Sequence, residues 1–198
     1  MVSDSPPERD MEWSTAGVEG SYKFLNRVLR IVNECQKPKK YINLDLIDKE
    51  NNVIRKIHQS IKDVTEGIDG FRFNVCIAKL YELTNVISKL DSKFDFEASL
   101  KFYGVGILAQ LISPFAPHHA EEIWSSLGYE MLVCDVKWPK FNKRFLSFEQ
   151  ISIGVQINGK LRGNISYNNT AKKEEIQNIA LSLPSVKNRL LGKKPKKI

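Results

Sequence analysis

Two cations, Lys160 and Arg162, close the run Val155-Gln156-Ile157-Asn158-Gly159-Lys160-Leu161-Arg162-Gly163. Asn-Gly between two alternating apolar runs is the strongest short-range hairpin signal, because a type I′ turn needs φ > 0 at both central residues. Side chains alternate between strand faces, so Val155 and Ile157 share one face before the turn, and Lys160 and Arg162 share one after it. The expected product is a stiff ribbon with two cations side by side. Such a pair suits contact with phosphates, which positions a polyanion without reading its sequence.

Bond-making chemistry is not legible. The sequence has no G-x-S-x-G, no Gly-rich phosphate loop and no H-E-x-x-H. His118-His119 beside Glu121-Glu122 invites a metal or acid–base reading, but adjacent helical side chains point about 100° apart. His118 and Glu122, at i and i+4, can share a face, and two ligands do not close a metal site. A structural role at a helix start is expected for this group, with the two glutamates favoured there by the helix dipole. No catalytic residue and no metal ligand is assigned.

The charge is unevenly placed. The 198 residues carry a net +7, yet residues 1–136 hold 16 Lys+Arg against 20 Asp+Glu, and residues 137–198 hold 14 against only Glu149, Glu174 and Glu175. A basic segment on a neutral-to-acidic body points to a polyanion, most often nucleic acid, although a tail merely made soluble by lysine is the plainer alternative. Cys35, Cys76 and Cys134 are scattered and odd in number, which argues against a disulfide framework or a zinc site and for a reducing, cytoplasmic setting. No apolar run approaches the ~18 residues expected of a membrane span, and the first residues do not resemble a signal or transit peptide.

The elements expected to carry these residues are mainly helical. Residues 1–16 form a polar, Pro-interrupted connector, with Ser14 or Thr15 placed to cap the first helix. That helix, about Val18 to Cys35, has Val18, Tyr22, Leu25, Leu29 and Val32 on one stripe and Lys23, Arg27 and Arg30 on the opposite side. A second carries Ile54, Ile57, Ile61, Val64 and Ile68, with His58 flanking the stripe as a packed or solvated residue. A third spans about Phe73 to Leu90. A fourth, about Glu97 to Ile112, is apolar nearly all round and belongs at the centre of a bundle, with Gly104 and Gly106 allowing close approach. A fifth starts at Pro117 and is closed by Gly128. The bundle occupies 17–136 and a linker 137–150. A small basic module at 151–198 is expected to contain the hairpin and one helix, about Ala171 to Leu183, before a lysine-dense end.

Three stretches together resemble a known family. Ser5-Pro6-Pro7-Glu8-Arg9-Asp10-Met11-Glu12-Trp13-Ser14, with Gly17-Val18-Glu19-Gly20 and Phe24-Leu25-Asn26-Arg27, is similar to the segment after the KMSKS loop of bacterial-type leucyl-tRNA synthetases. Ser113-Pro114-Phe115-Ala116-Pro117-His118 with Glu121-Glu122-Ile123-Trp124 resembles the helical-bundle motif shared by the class I synthetases for leucine, isoleucine, valine and methionine, and by itself does not choose among them. Val155 to Gly163 is similar to the C-terminal signature of the leucyl enzyme, which selects that family.

The resemblance implies a five-helix class I synthetase anticodon-binding bundle followed by a small α+β C-terminal module. In the family the HIGH-like and KMSKS-like motifs and the editing domain precede the segment matched here, so ATP and Mg2+ chemistry is implied to lie outside this chain, with no cofactor within it. A C-terminal piece, a split reading frame or an internal start is the expected origin, with a separately encoded catalytic half as a conceivable partner. The family also continues past the lysine run with a final strand. The implied partner is tRNA(Leu), bound by a monomer, the bundle lying along the anticodon stem without reading the anticodon and the small module meeting the outer corner of the tRNA. The expected phosphate-facing residues are Lys160, Arg162, Lys187, Arg189, Lys193 and Lys194, with Lys23, Arg27 and Arg30 along the stem. The rival readings are the corresponding region of a valyl, isoleucyl or methionyl enzyme, and a helical protein-interaction module with a solvating basic tail.

Overall fold

A computed structural model of the chain describes residues 3, 5, 8–10, 13–146, 150–168 and 171–190. The chain divides into two compact units, 1–146 and 147–198. Among the described residues are seven α-helices and one antiparallel two-stranded ribbon.

The first unit is the expected bundle: α1 (Thr15–Asn33), α2 (Asn52–Asp69), α3 (Phe73–Ile87), α4 (Asp95–Ile112) and α5 (Pro117–Ser126). Local chemistry sets most boundaries. Ser14 Oγ accepts the Gly17 N–H at the start of α1, and Asn51 Oδ1 accepts from Val53 and Ile54 at the start of α2. Pro117 opens α5, and Gly128, at φ 83°, comes just after its end. The α2 stripe is buried as expected at Ile54, Ile57, Ile61 and Val64. In α4 burial runs around the whole circumference from Ala98 to Ile112, so this helix is the axis on which α2, α3 and α5 pack. One of those approaches is tight at a glycine: a Cβ on Gly104 would lie 3.1 Å from Ile87 Cδ1 and 3.3 Å from Ile57 Cδ1, closer than those side chains allow without shifting. Gly106 has ordinary room, its nearest would-be contacts being 3.7 Å or more away.

Helix α1 is rotated from the face its stripe predicts, although Val32 of that stripe is buried and Leu25 and Leu29 pack partly against the core. Phe24, Val28, Ile31 and Val32 are buried, whereas Val18 and Tyr22 are 45% and 68% exposed. The reason is α3. Tyr81 stacks on Phe24 with ring centroids 3.9 Å apart, and its hydroxyl donates to the Gly20 carbonyl at 3.4 Å. Phe24 is thereby drawn into the core beside Leu25, Leu29 and Val32.

Residues 137–146, expected as the first part of a linker, pack on the bundle. Phe145 is 1% exposed. Trp138 Nε1–H donates to Thr65 Oγ1 at 2.8 Å, the Asn142 N–H donates to His58 Nδ1 at 3.2 Å, and Arg144 donates to the carbonyls of Asp45 and Ile47. The segment is a strap across α2.

The second unit contains β1 (Gln150–Ile157), β2 (Lys160–Asn168), α6 (Lys173–Ser182) and α7 (Pro184–Leu190). The single expected helix ends earlier, and α7 is additional. Leu183 sits at ψ 131°, off the helical region, as a residue before proline prefers, and Pro184 starts the new helix. Ile165 and Val186 are each 3% exposed, and α7 packs on β2.

Candidate nucleic-acid interface

The hairpin turn is the one its sequence demands: Asn158 and Gly159 take φ 50° and 77°. Ile157 pairs with Lys160 and Gln156 with Leu161, but Val155 pairs with Gly163. Arg162 is therefore the extra residue of a β-bulge. The two-residue alternation on which Lys160 and Arg162 would share a face is broken between them, and that expectation is corrected. Lys160 is exposed beside the turn. Arg162 is half-buried, its Nε has no hydrogen-bond partner, and its carbonyl accepts the Ser185 hydroxyl at 2.5 Å.

Helix α7 adds Lys187 and Arg189, both exposed in its last turn, where cations complement the helix dipole. Among the described residues none of Lys160, Arg162, Lys187 and Arg189 is in an ion pair with a carboxylate. The acids of this unit that are described, Glu174 and Glu175, sit in the first turn of α6, and Glu175 is turned back onto the Lys172 N–H at 3.1 Å. Lys193 and Lys194 lie outside the described residues. The structural boundary sharpens the charge map. Residues 1–146 hold 20 Lys+Arg and 20 Asp+Glu, whereas residues 147–198 hold ten against three, which is the whole net +7 of the chain.

On the bundle the three stem candidates separate. Lys23 is exposed in a loose pair with Glu19 at 3.6 Å, and Arg30 is exposed. Arg27 is committed to the fold: its two terminal nitrogens donate to Asn85 Oδ1 at 2.6 Å and Ser88 Oγ at 2.9 Å on and just after α3. His118 is exposed and His119 partly buried, and among the described residues no group of three His, Cys, Asp or Glu could hold a metal ion. Glu121 does more than favour the α5 dipole, since its carboxylate accepts the Val133 and Cys134 N–H groups at 2.9 and 3.3 Å and ties down the loop after the helix. Among the described residues no helix is long and apolar enough to cross a membrane.

Sequence reasoning missed Ser185 and the α6–α7 elbow that carries it. The available signal was Leu183-Pro184-Ser185, a proline that breaks one helix and opens another.

The family described as the anticodon-binding domain of tRNA ligase matches residues 50–177, from the start of α2 through the hairpin into α6. The chain belongs to this family. As an anticodon-binding domain of the tRNA-ligase type it is 36% identical over 202 residues to the leucine–tRNA ligase of Rhodospirillum rubrum and 39% identical over 201 residues to that of Rickettsia bellii. Both alignments take in 100% of this chain and 23% of the relative, so the chain spans about a quarter of the length of these curated relatives. The fold of the domain is also that of a solved protein, the agnB2 LeuRS of Agrobacterium radiobacter K84 in a ternary complex with tRNA and LeuAMS. That match has a TM-score of 0.74 at 28% identity and covers 96% of this chain and 25% of the other. The resemblance to leucyl-tRNA synthetases seen in three stretches of sequence thus extends along the whole chain.

Proposed function

We propose that this chain is the tRNA-positioning part of a leucine–tRNA ligase, holding tRNA(Leu) while ATP- and Mg2+-dependent leucylation takes place on other parts of such an enzyme. The observation that carries the reading is end-to-end likeness to leucine–tRNA ligases, one of them solved with tRNA. A cytoplasmic setting belongs to the same reading, with ATP and Mg2+ placed on other parts of such an enzyme.

The charge map supports a division of labour. A bundle with balanced charge supplies a rigid frame, and the 147–198 unit supplies net attraction for phosphates. Structured RNA is recognised largely by shape, phosphates and 2′-hydroxyls, so lysines and arginines on a stiff ribbon are sufficient for grip. Positioning matters for rate because misplacement of a reacting end by ~1 Å can cost on the order of 100-fold. Lys160, Arg162, Lys187 and Arg189 are the main contacts in this reading, with Lys193 and Lys194 included on charge alone and Lys23 and Arg30 as secondary ones.

Filter binding of a tRNA(Leu) transcript to the 198-residue chain, at salt concentrations from roughly 50 to 200 mM, tests it. Affinity should fall steeply with salt, with each lost phosphate contact removing roughly 0.7–0.9 from the log–log slope. Reversing Lys160 and Arg162 together to glutamate should flatten the slope by about two such increments. An unchanged slope would remove the hairpin from the interface, and binding indifferent to both salt and RNA would favour a protein-interaction module.

A further inference from the structure

The bulge at Arg162 does not stand alone. The ribbon ladder skips this residue, and its carbonyl is taken instead by the Ser185 hydroxyl at 2.5 Å, from the first turn of α7. The next residue, Gly163, lies directly under the elbow, since a Cβ built there would sit 3.4 Å from Leu183 Cδ1 and 3.8 Å from Ser185 Oγ. Ile165 on β2 and Val186 on α7 are both buried, and the two elements pack on each other. The backbone that carries Arg162 is thus held by the α6–α7 elbow rather than by its strand partner.

Arg162 Nε is buried without a hydrogen-bond partner, so only the terminal nitrogens of the fork are left to meet a ligand, and among the described residues no carboxylate pairs with the side chain. A planar fork on a backbone fixed in advance suits contact with a phosphate through its terminal nitrogens. Ser185 and Arg189 are four residues apart on α7 and share a helix face, so the element that holds Arg162 also carries a second arginine.

We propose that Ser185 is a positioning residue for RNA binding, and that the α6–α7 elbow presets Arg162 for a backbone phosphate by holding the bulge. The proposal rests on the reading of the hairpin as an RNA contact. Pre-organisation is its physical content: a bulge held open costs nothing further when the phosphate arrives, whereas a free one must be ordered on binding.

The test is a double-mutant cycle on the full 198-residue chain with a tRNA(Leu) transcript as the probe. Ser185→Ala should weaken binding about 3- to 10-fold and flatten the log–log salt slope by roughly one phosphate contact. Ser185→Thr, which keeps the hydroxyl, should bind as the parent does, while Ser185→Val, of the same shape without it, should behave as Ser185→Ala. In an Arg162→Ala background, Ser185→Ala should have no further effect. A merely structural role for Ser185 would predict the same loss in both backgrounds, and that result overturns the proposal. So would parent-like binding by Ser185→Ala and Ser185→Val while Arg162→Ala weakens it. If Arg162→Ala itself leaves binding and slope unchanged, the hairpin's contact with RNA falls, and the positioning role with it. Far-UV circular dichroism of each variant separates these outcomes from unfolding.

Discussion

The imidazole of His58 lies flat against the ring of Phe145, with centroids 4.8 Å apart and planes within 9°. The two residues are far apart in sequence, and their contact is what turns the segment after residue 136 from a tether into part of the bundle. His58 is 1% exposed, and its Nδ1 accepts the Asn142 N–H, so the neutral ring carries its proton on Nε2.

Burial pushes the pKa of His58 down from its ordinary 6.5 to about 4. The folded state therefore refuses a proton that the unfolded chain accepts. Stability present in full above pH 6.5 should be lost progressively as the pH falls to about 4, by a total on the order of 3 kcal/mol. Urea midpoints of the parent and of His58→Phe, measured from neutral pH down to the folded-state pKa, check this. The parent should lose more than the variant, and equal losses would refute the assignment.

Phe145 fills the core from beyond the point where composition changes. Phe145→Ala should cost about 3 kcal/mol or more, as for other fully buried aromatics. A drop in the urea midpoint of the bundle shows it, and a change below about 1 kcal/mol would mean that the strap is not held by this ring.

Gly104 and Gly106 differ by neighbour, not by helix. Gly104→Ala must displace Ile87 and Ile57, and should destabilise by about 1–3 kcal/mol through overpacking. Gly106→Ala meets only ordinary contacts and should stabilise by up to about 1 kcal/mol through helix propensity. Thermal melting of the pair decides, and the opposite order would contradict the close approach at Gly104.

Arg27 and Arg30 should separate under the same substitution. Arg27→Ala loses its hydrogen bonds to Asn85 and Ser88 and should cost about 1 kcal/mol of stability with the RNA salt slope unchanged. Arg30→Ala should leave the melting temperature alone and, where the bundle touches RNA, lower the slope. Melting curves and binding titrations on both variants test the division, and a slope change confined to Arg27→Ala would reverse it.

What could be seen in advance was whatever a residue's own neighbours settle. Asn158-Gly159 specifies its turn because few residues tolerate positive φ twice in succession. The α2 stripe and the all-round apolar α4 declare their burial because no other placement removes so much apolar surface from water. Pro117 and Gly128 mark the ends of α5 through their own backbones. The motifs that resemble leucyl-tRNA synthetases belong here too, since they could be recognised before any fold was known.

The rest needed partners distant in sequence. Helix α1 shows one apolar stripe in sequence, and the stack with Tyr81 on α3 draws Phe24 into the core beside it. Arg27 looked like its neighbours Lys23 and Arg30 until Asn85 and Ser88 engaged it. The stretch 137–146 reads as the start of a basic, proline-containing linker, yet His58, Thr65 and the Asp45 and Ile47 carbonyls make it a strap. Lys160 and Arg162 are separated by a single residue, but one bulge sets them in different surroundings.

The amino-acid order by itself determined that this protein is a helical bundle followed by a basic hairpin module, because helical period, turn chemistry and charge are local quantities that sum along the chain. Tertiary structure alone decided which apolar sector faces inward, which cations remain free for a partner and what holds Arg162. Those outcomes depend on side chains dozens of residues away competing for the same surfaces and donors, and no local period records that competition.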